Sequence, residues 1–428
     1  MTLIPGLGRR RDRGAGESVR TASVTPRPEA RGRAGETEVA AVRSHPDVER
    51  SAAPPSAMRI ASIDALRGFS MFWIIGGDRL ALALGTMLAG QAPILASAGE
   101  LLARQFQHAD WDGLRFYDLI FPLFVFVTGV TVPFSLTPLV EREGKFAAHR
   151  RVLRRFVLLY ALGLIYYGGV GQSFADVRFL GVLQRIALCS LFASLLFLNF
   201  SIRGMLVALA ALLVGYWLVM TFVPVPGFGT TTFAPGANLA DYIDAQILPG
   251  RKWNGETDPE GVLSTLPAIG TCVIGVLAGL LLKESRLKPP QKTAALVGLG
   301  VAMLFMGLAW ALQFPIIKNL WTSSFVLVTC GLSSLLLAAF YYVMDVWKRQ
   351  TWGTMFIWIG ASAITLYFIN GIVGFKEFAQ RLVGGDVGRW ANVYVAPGAG
   401  DFLACAVGLT LAVALAALLY RRKIFLRV

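Results

Sequence analysis

Charge is scarce in this chain. Asp, Glu, Lys and Arg make up 15% of its 428 residues, while hydrophobic residues make up 55%. An ordinary soluble domain carries roughly a quarter charged residues, so that class is excluded. Histidine and cysteine are scarcer still, with three and four copies. The cysteines, Cys189, Cys272, Cys330 and Cys405, each lie inside an apolar run, and none forms a CxxC pair. Neither a disulfide framework nor a structural zinc is expected from them. Walker A, GxSxG, HExxH and His/Cys clusters are missing, which leaves nucleotide hydrolysis and metal catalysis unsupported; no metal is expected. No self-similar repeat is readable, which removes support for an inverted-repeat transporter.

What the chain does have is long apolar runs, continuous rather than alternating. In lipid only helices and closed barrels satisfy their backbone groups, and continuous runs of this length indicate helices. Ten spans are read near 66–88, 118–138, 153–171, 180–200, 204–223, 262–282, 293–313, 322–346, 353–374 and 402–420. The expected fold is an all-α integral membrane protein, a polytopic bundle of about ten transmembrane helices. Outer loops are expected at 89–117, 224–261 and 375–401.

Net charge is +14. In a soluble protein that would suggest nucleic acid. Here the cations gather in short segments: six Lys/Arg in Glu141–Arg155, four in Lys283–Lys292, four in Arg421–Arg427. Short cytoplasmic loops collect Lys and Arg, so both termini are expected in the cytoplasm and no nucleic-acid partner is expected. Residues 1–58 are a different material, rich in Arg, Pro, Gly, Ser and Ala. They are expected to form a disordered basic tail ahead of a membrane domain over 59–428. "GRRRDRG" in that tail is followed by no apolar stretch, so it does not read as a signal peptide.

This orientation puts "QFQHADWDGLRFYD" (105–118) on the far side. It holds His108, the one histidine outside the tail and the basic loop. Imidazole titrates near neutrality and is the commonest general base. Asp110, Asp112 and Asp118 offer carboxylates to orient it, and Asp118 also suits the N-terminus of the second span. Trp111 reads equally well as an interface anchor. Asp78 interrupts the first span in "MFWIIGGDRLALAL", either inside the bilayer or already at its outer edge. Gln184 and Arg185 stand among Leu, Ile and Ala, where an arginine needs Asp118, Asp78, a phosphate or backbone carbonyls. Asp258 is expected to cap the sixth span, with Pro259 in its first turn. Asp64 and Arg67 sit at i and i+3, a natural helix pair. Lys318 and Ser323 belong to a polar entry into the eighth span.

Five segments, taken in order, resemble one family. They are "SIDALRGFSMFWIIGGD", "FQHADWDGLRFYDLIFPLFVFVTGVTVPFSL", "GVLQRIALC", "TDPEGVLSTLPAIGTCVIGVLAG" and "KNLWTSSFVL". The likeness is to the heparan-alpha-glucosaminide N-acetyltransferase family of polytopic transmembrane acyltransferases, and it covers nearly all of the chain after the tail. The resemblance implies acetyl-CoA supplied from the cytoplasm, a glucosamine-type amine acetylated on the far side, and a homodimer. It places the family's catalytic histidine at His108 and its aspartate ten residues on at Asp118. The human-type member carries Asn at the position of Asp78, a third catalytic candidate here. It also has an extra luminal region and first helix, so the first span here corresponds to its second. Arg185, Gln184, Arg67, Lys318 and Ser323 are the candidates for contact with acetyl-CoA. The Arg/Ala/Gly-rich composition suggests a bacterial inner membrane. A transporter without chemistry is the rival reading.

Overall fold

The computed structural model describes residues 60–91, 93–171 and 173–424; the tail read at 1–58 lies outside the described residues. The described chain is helical. Among its residues the only β pairings are isolated bridges, at Asp112–Ile317, Arg178–Gly250 and Lys252–Gly255.

The first span is α1 (Ala61–Phe72), a π turn (Trp73–Gly77) and α2 (Asp78–Ala89). After α3 (Pro93–Gln105) comes α4 (Phe116–Tyr166), a single 51-residue element. Straight, 51 residues would run about 76 Å at 1.5 Å each, more than twice the roughly 30 Å of bilayer hydrocarbon. Inside α4, Gly144 has φ 82° and ψ 172°, a backbone setting that only glycine takes readily. The expected spans 118–138 and 153–171 are thus joined through a break at Gly144.

The rest follows as α5 (Val182–Asn199), α6 (Ile202–Phe222), α7 (Leu239–Ile247), α8 (Thr265–Lys283), α9 (Pro289–Ala311), α10 (Ser323–Tyr341), α11 (Thr354–Ala361), α12 (Ala363–Val373), α13 (Phe375–Val383), α14 (Asp386–Tyr394) and α15 (Ala399–Arg421). Eight helices among the described residues are long and apolar enough to cross a membrane; α11 and α12, bent by 66°, make a ninth if they form one span. The segments read as outer loops hold helices of their own: α3 in the first, α7 in the second, α13 and α14 in the third.

Helices α4, α8 and α10 make the buried centre, and α6 and α9 the periphery. Small residues let α4 and α8 meet backbone to backbone. A methyl group added to Gly275 would stand 2.1 Å from the Phe126 carbonyl oxygen. Without a hydrophobic force between helices in lipid, such close approach supplies the packing energy. This rigid centre carries the polar groups described next.

Candidate active site

The His108 loop is built around one carboxylate. Asp118 lies in the first turn of α4, and its side chain is only 1% exposed. Its Oδ2 accepts from the backbone N–H of Ala109 (3.0 Å) and Arg115 (3.1 Å). Its Oδ1 stands 2.8 Å from His108 Nδ1 and 3.2 Å from Lys318 Nζ. Asp118 therefore binds the helix start and the imidazole with the same group. Arg115 Nη1 donates to the His108 carbonyl oxygen at 2.6 Å and Nη2 to Asp110 at 3.3 Å. Tyr117 stacks on the imidazole with ring centres 4.9 Å apart, and the Asp78 carboxylate is near its hydroxyl. Among the described residues, Asp78 is not one of the contacts of His108, and its Oδ1 is buried with no hydrogen-bond partner.

Lys318 comes from the far end of the chain. Gly113 N donates to Ile316 O at 2.9 Å, and Asp112 pairs with Ile317 as an antiparallel bridge. Those rungs clamp the His108 loop to the 312–322 loop. Trp111 adds a bond from Nε1 to Phe233 O at 2.9 Å. Lys318 Nζ then lies 2.8 Å from His108 Nδ1 and 3.2 Å from Nε2. Burial pushes the Lys318 ammonium below the usual lysine range, and the neighbouring Asp118 charge opposes that shift.

A second polar cluster lies beside the first. Arg178 forms a two-pronged pair with Asp258 (Nε to Oδ2 2.9 Å, Nη2 to Oδ1 2.6 Å), and Nη2 also reaches Glu260 Oε2 at 2.6 Å. The guanidinium lies over the rings of Tyr167 and Trp253, 4.7 and 4.9 Å from their centres. Burial disfavours the Arg178 charge, but Asp258 and Glu260 more than offset it. This corrects the expectation for Asp258. The sixth span begins at Thr265 with Ser264 before it, and Asp258 serves Arg178 instead of a helix end. Sequence reading passed over Arg178 and Tyr117. Two acids two residues apart, at positions the fold buries, were the available signal for the first; adjacency to Asp118 was the signal for the second.

The remaining candidates separate. Arg185 is wholly buried and meets neither Asp118 nor Asp78. Its Nη2 donates to Ser264 Oγ (2.5 Å) and Gly261 O (3.3 Å), and the guanidinium lies 5.0 Å over the Trp321 ring. Gln184 is buried, with Nε2 3.5 Å from Arg178 O. Ser323 donates to Leu213 O at 2.7 Å. None of these three lines the cavities described below. Arg67 does, and it also keeps its expected Asp64 pair at 3.5 Å.

Two cavities meet inside the bundle. The outer one, about 520 Å³, is lined by His108, Tyr117, Lys318, Arg178, Glu260 and Trp253 among others. The inner one, about 330 Å³, is lined by Arg67, Arg151, Arg155 and the bend between α11 and α12. Ile74, Phe121, Val182 and Tyr367 belong to both walls. A further basic cavity of about 400 Å³ adds Arg150 and Arg154 and shares Arg151 and Arg155 with the inner one.

A family profile described as an acyltransferase domain matches residues 60–421. The chain belongs to this acyltransferase family. The resemblance read from the five motifs holds as well. This acyltransferase is 29% identical over 373 residues to the heparan-alpha-glucosaminide N-acetyltransferase of Homo sapiens, covering 74% of this chain and 53% of that protein. It is 29% identical over 325 residues to the Mus musculus protein of the same name, covering 61% and 48%. The chain thus spans about half the length of the curated relatives it matches. With eight apolar helices among its described residues, this acyltransferase is an integral membrane protein.

Proposed function

We propose that this chain moves an acetyl group from acetyl-CoA, bound from the cytoplasm, to an amine or hydroxyl of an amino sugar or glycan on the far side of the membrane. The supporting observation is the meeting of two unlike cavities. One holds an imidazole with a buried carboxylate behind it; the other holds three arginines, and four residues form part of both walls. Guanidinium groups suit the phosphates of CoA. A pantetheine arm threading the shared wall would bring its thioester toward His108. With Nδ1–H donated to Asp118, Nε2 carries the lone pair, and His108 takes the acceptor's proton as the nitrogen attacks. The new C–N bond forms, the C–S bond breaks, and the proton passes on to the CoA sulfur. In this reading the arm reaches His108 itself, so transfer is direct and needs no acetyl-histidine intermediate.

The reading carries a topology with it. Two crossings for α4 and one for the α11–α12 pair make ten spans over a single domain, 59–428, with both termini cytoplasmic. The arginine-rich cavities then open inward and His108 faces outward. A bacterial inner membrane and a homodimer belong to the same proposal.

Purified protein in detergent, given radiolabelled acetyl-CoA and a panel of amino sugars, tests the reading. His108→Ala is expected to abolish transfer with unchanged thermal stability, since its side chain is 54% exposed. Arg155→Gln is expected to raise KM for acetyl-CoA about tenfold, the loss of one charge-assisted contact, with kcat nearly kept. Retained transfer in His108→Ala would sink the assignment. Substrate movement across vesicles without CoA turnover would favour the transporter reading.

A further inference from the structure

The attack on a thioester creates a charge that the groups named so far leave unmet. As the acceptor's lone pair forms the new bond, the carbonyl π pair moves onto oxygen. That oxyanion needs a hydrogen-bond donor, set in place beforehand, within reach of His108. Arg185, the cation expected from the sequence, is sequestered over Trp321 and lines neither cavity. Arg178 lines the outer cavity, but three of its N–H groups serve Asp258 and Glu260, and the cation in contact with His108 is Lys318. Arg115 is committed to the His108 carbonyl and Asp110.

We propose that Lys318 is the further catalytic residue: its ammonium holds the acyl oxygen while His108 removes the acceptor's proton. This rests on the acyl-transfer reading above. Lys318 Nζ touches His108 and Asp118 together, and its side chain, 18% exposed, lines the outer cavity. An ammonium has three N–H groups and no lone pair. Asp118 takes one. Nδ1 gives its proton to Asp118 and Nε2 keeps its lone pair for the acceptor's proton, so the other two N–H groups are left for a substrate oxygen. The pair formed with Asp118 also keeps the resting site free of net charge.

The ammonium is held in place. The backbone of its turn is closed by Trp321 N donating to Lys318 O at 2.9 Å, with Trp321 at φ 51°. Trp321 is 1% exposed, and its Nε1 donates to Thr271 Oγ1 at 3.0 Å. The rungs at Gly113–Ile316 and Asp112–Ile317 tie the same turn to the His108 loop. A donor fixed this way need not reorganise when charge develops, which is what makes such donors effective. In the full step the oxygen's extra pair returns to carbon as the C–S bond breaks. The pair leaves on sulfur, and the imidazolium proton follows it. Amine and thioester become amide and thiol, with Lys318 unchanged.

The test compares Lys318→Met, Lys318→Gln and Lys318→Arg with the parent, using glucosamine as the acceptor probe. Acetyl-CoA and fluoroacetyl-CoA are the two donors. Loss of one oxyanion donor lowers kcat about 10²–10³-fold, so that fall is expected for Met and Gln with acetyl-CoA, at unchanged KM for the donor. Arg should restore part of the rate. Fluorine already polarises the carbonyl, so the deficit should shrink by at least about tenfold with fluoroacetyl-CoA. A deficit equal for both donors would mean that Lys318 only positions Asp118 and would overturn the proposal. So would near-parental turnover, or a stable acetyl adduct on Lys318 by mass spectrometry. A parent protein with no turnover would instead overturn the acyl-transfer reading itself. Stabilisation of each variant by acetyl-CoA checks that it is folded, and Gln or Arg serves where Met is not recovered.

Discussion

Lys318 and Arg178 are both cations buried against carboxylates on the wall of one cavity, yet they are built for opposite ends. Arg178 meets Asp258 through two N–H bonds, meets Glu260 through a third contact, and lies over two aromatic rings. Three of its five N–H groups are taken up by these two acids. Lys318 meets one carboxylate that already accepts two backbone N–H groups, and an imidazole whose side chain is 54% exposed. A closed ion cluster holds loops together. An open one keeps an imidazole and an ammonium facing space. Burial of charge marks both, so burial alone does not separate structure from chemistry; contact with the His108 imidazole does.

The comparison is broken most severely at Asp118. Asp118→Asn keeps the shape but removes the charge that orients the imidazole and balances Lys318. Turnover is expected to fall about 10²–10⁴-fold, the usual weight of a general base and its support, measured as kcat with radiolabelled acetyl-CoA. A variant within tenfold of the parent would make Asp118 a helix cap only. Arg178→Met tests the other cluster. Removing one partner of a buried pair strands the rest, at about 3–5 kcal/mol. Thermal unfolding should drop sharply while turnover per folded molecule changes little. Arg178→Met combined with Asp258→Leu and Glu260→Leu should recover much of the loss. If Arg178→Met instead lowers kcat at parental stability, the two clusters share the chemistry.

The smallest effect sharpens the boundary between them. Asp244, on α7 beneath the 258–264 loop, accepts from Val262 N at 2.8 Å, and burial raises its pKa to about 7. A raised carboxyl is protonated in the folded protein and ionised in the unfolded chain between its ordinary pKa and 7. Stability therefore falls as pH rises through that window, and the deficit is complete above pH 7. Asp244→Asn should unfold at a higher temperature than the parent above pH 7, with the gain fading as pH falls toward 4. A gain independent of pH would show that Asp244 is not the group responsible.

How much of this was legible beforehand follows from what each solvent enforces. The eight long apolar helices were readable because lipid tolerates no unpaired backbone; the joining of two expected spans in α4 and the bend between α11 and α12 were not. Helices in the outer segments were not, because α13 and α14 are short, with mixed composition, and owe their form to packing on their neighbours, as Phe375 and Ala379 do. His108 and Asp118 stood out as close neighbours in sequence. Lys318 could be named as a polar candidate, but its meeting with His108 depends on a backbone rung between distant loops. Arg185 drew attention by sitting among apolar residues, and that same setting is what removes it from the cavity. Asp258 was assigned to a helix end because its partner, Arg178, lies 80 residues away.

The rung between Gly113 and Ile316 has a consequence for biogenesis. His108 and Lys318 are 210 positions apart in the chain. A nascent polypeptide that has threaded only its early helices into the membrane carries the imidazole without the cation. The centre therefore comes into being late, after the loop following α9 has emerged and docked. Translation products that stop short of Lys318 carry no complete centre, whatever else of them has folded.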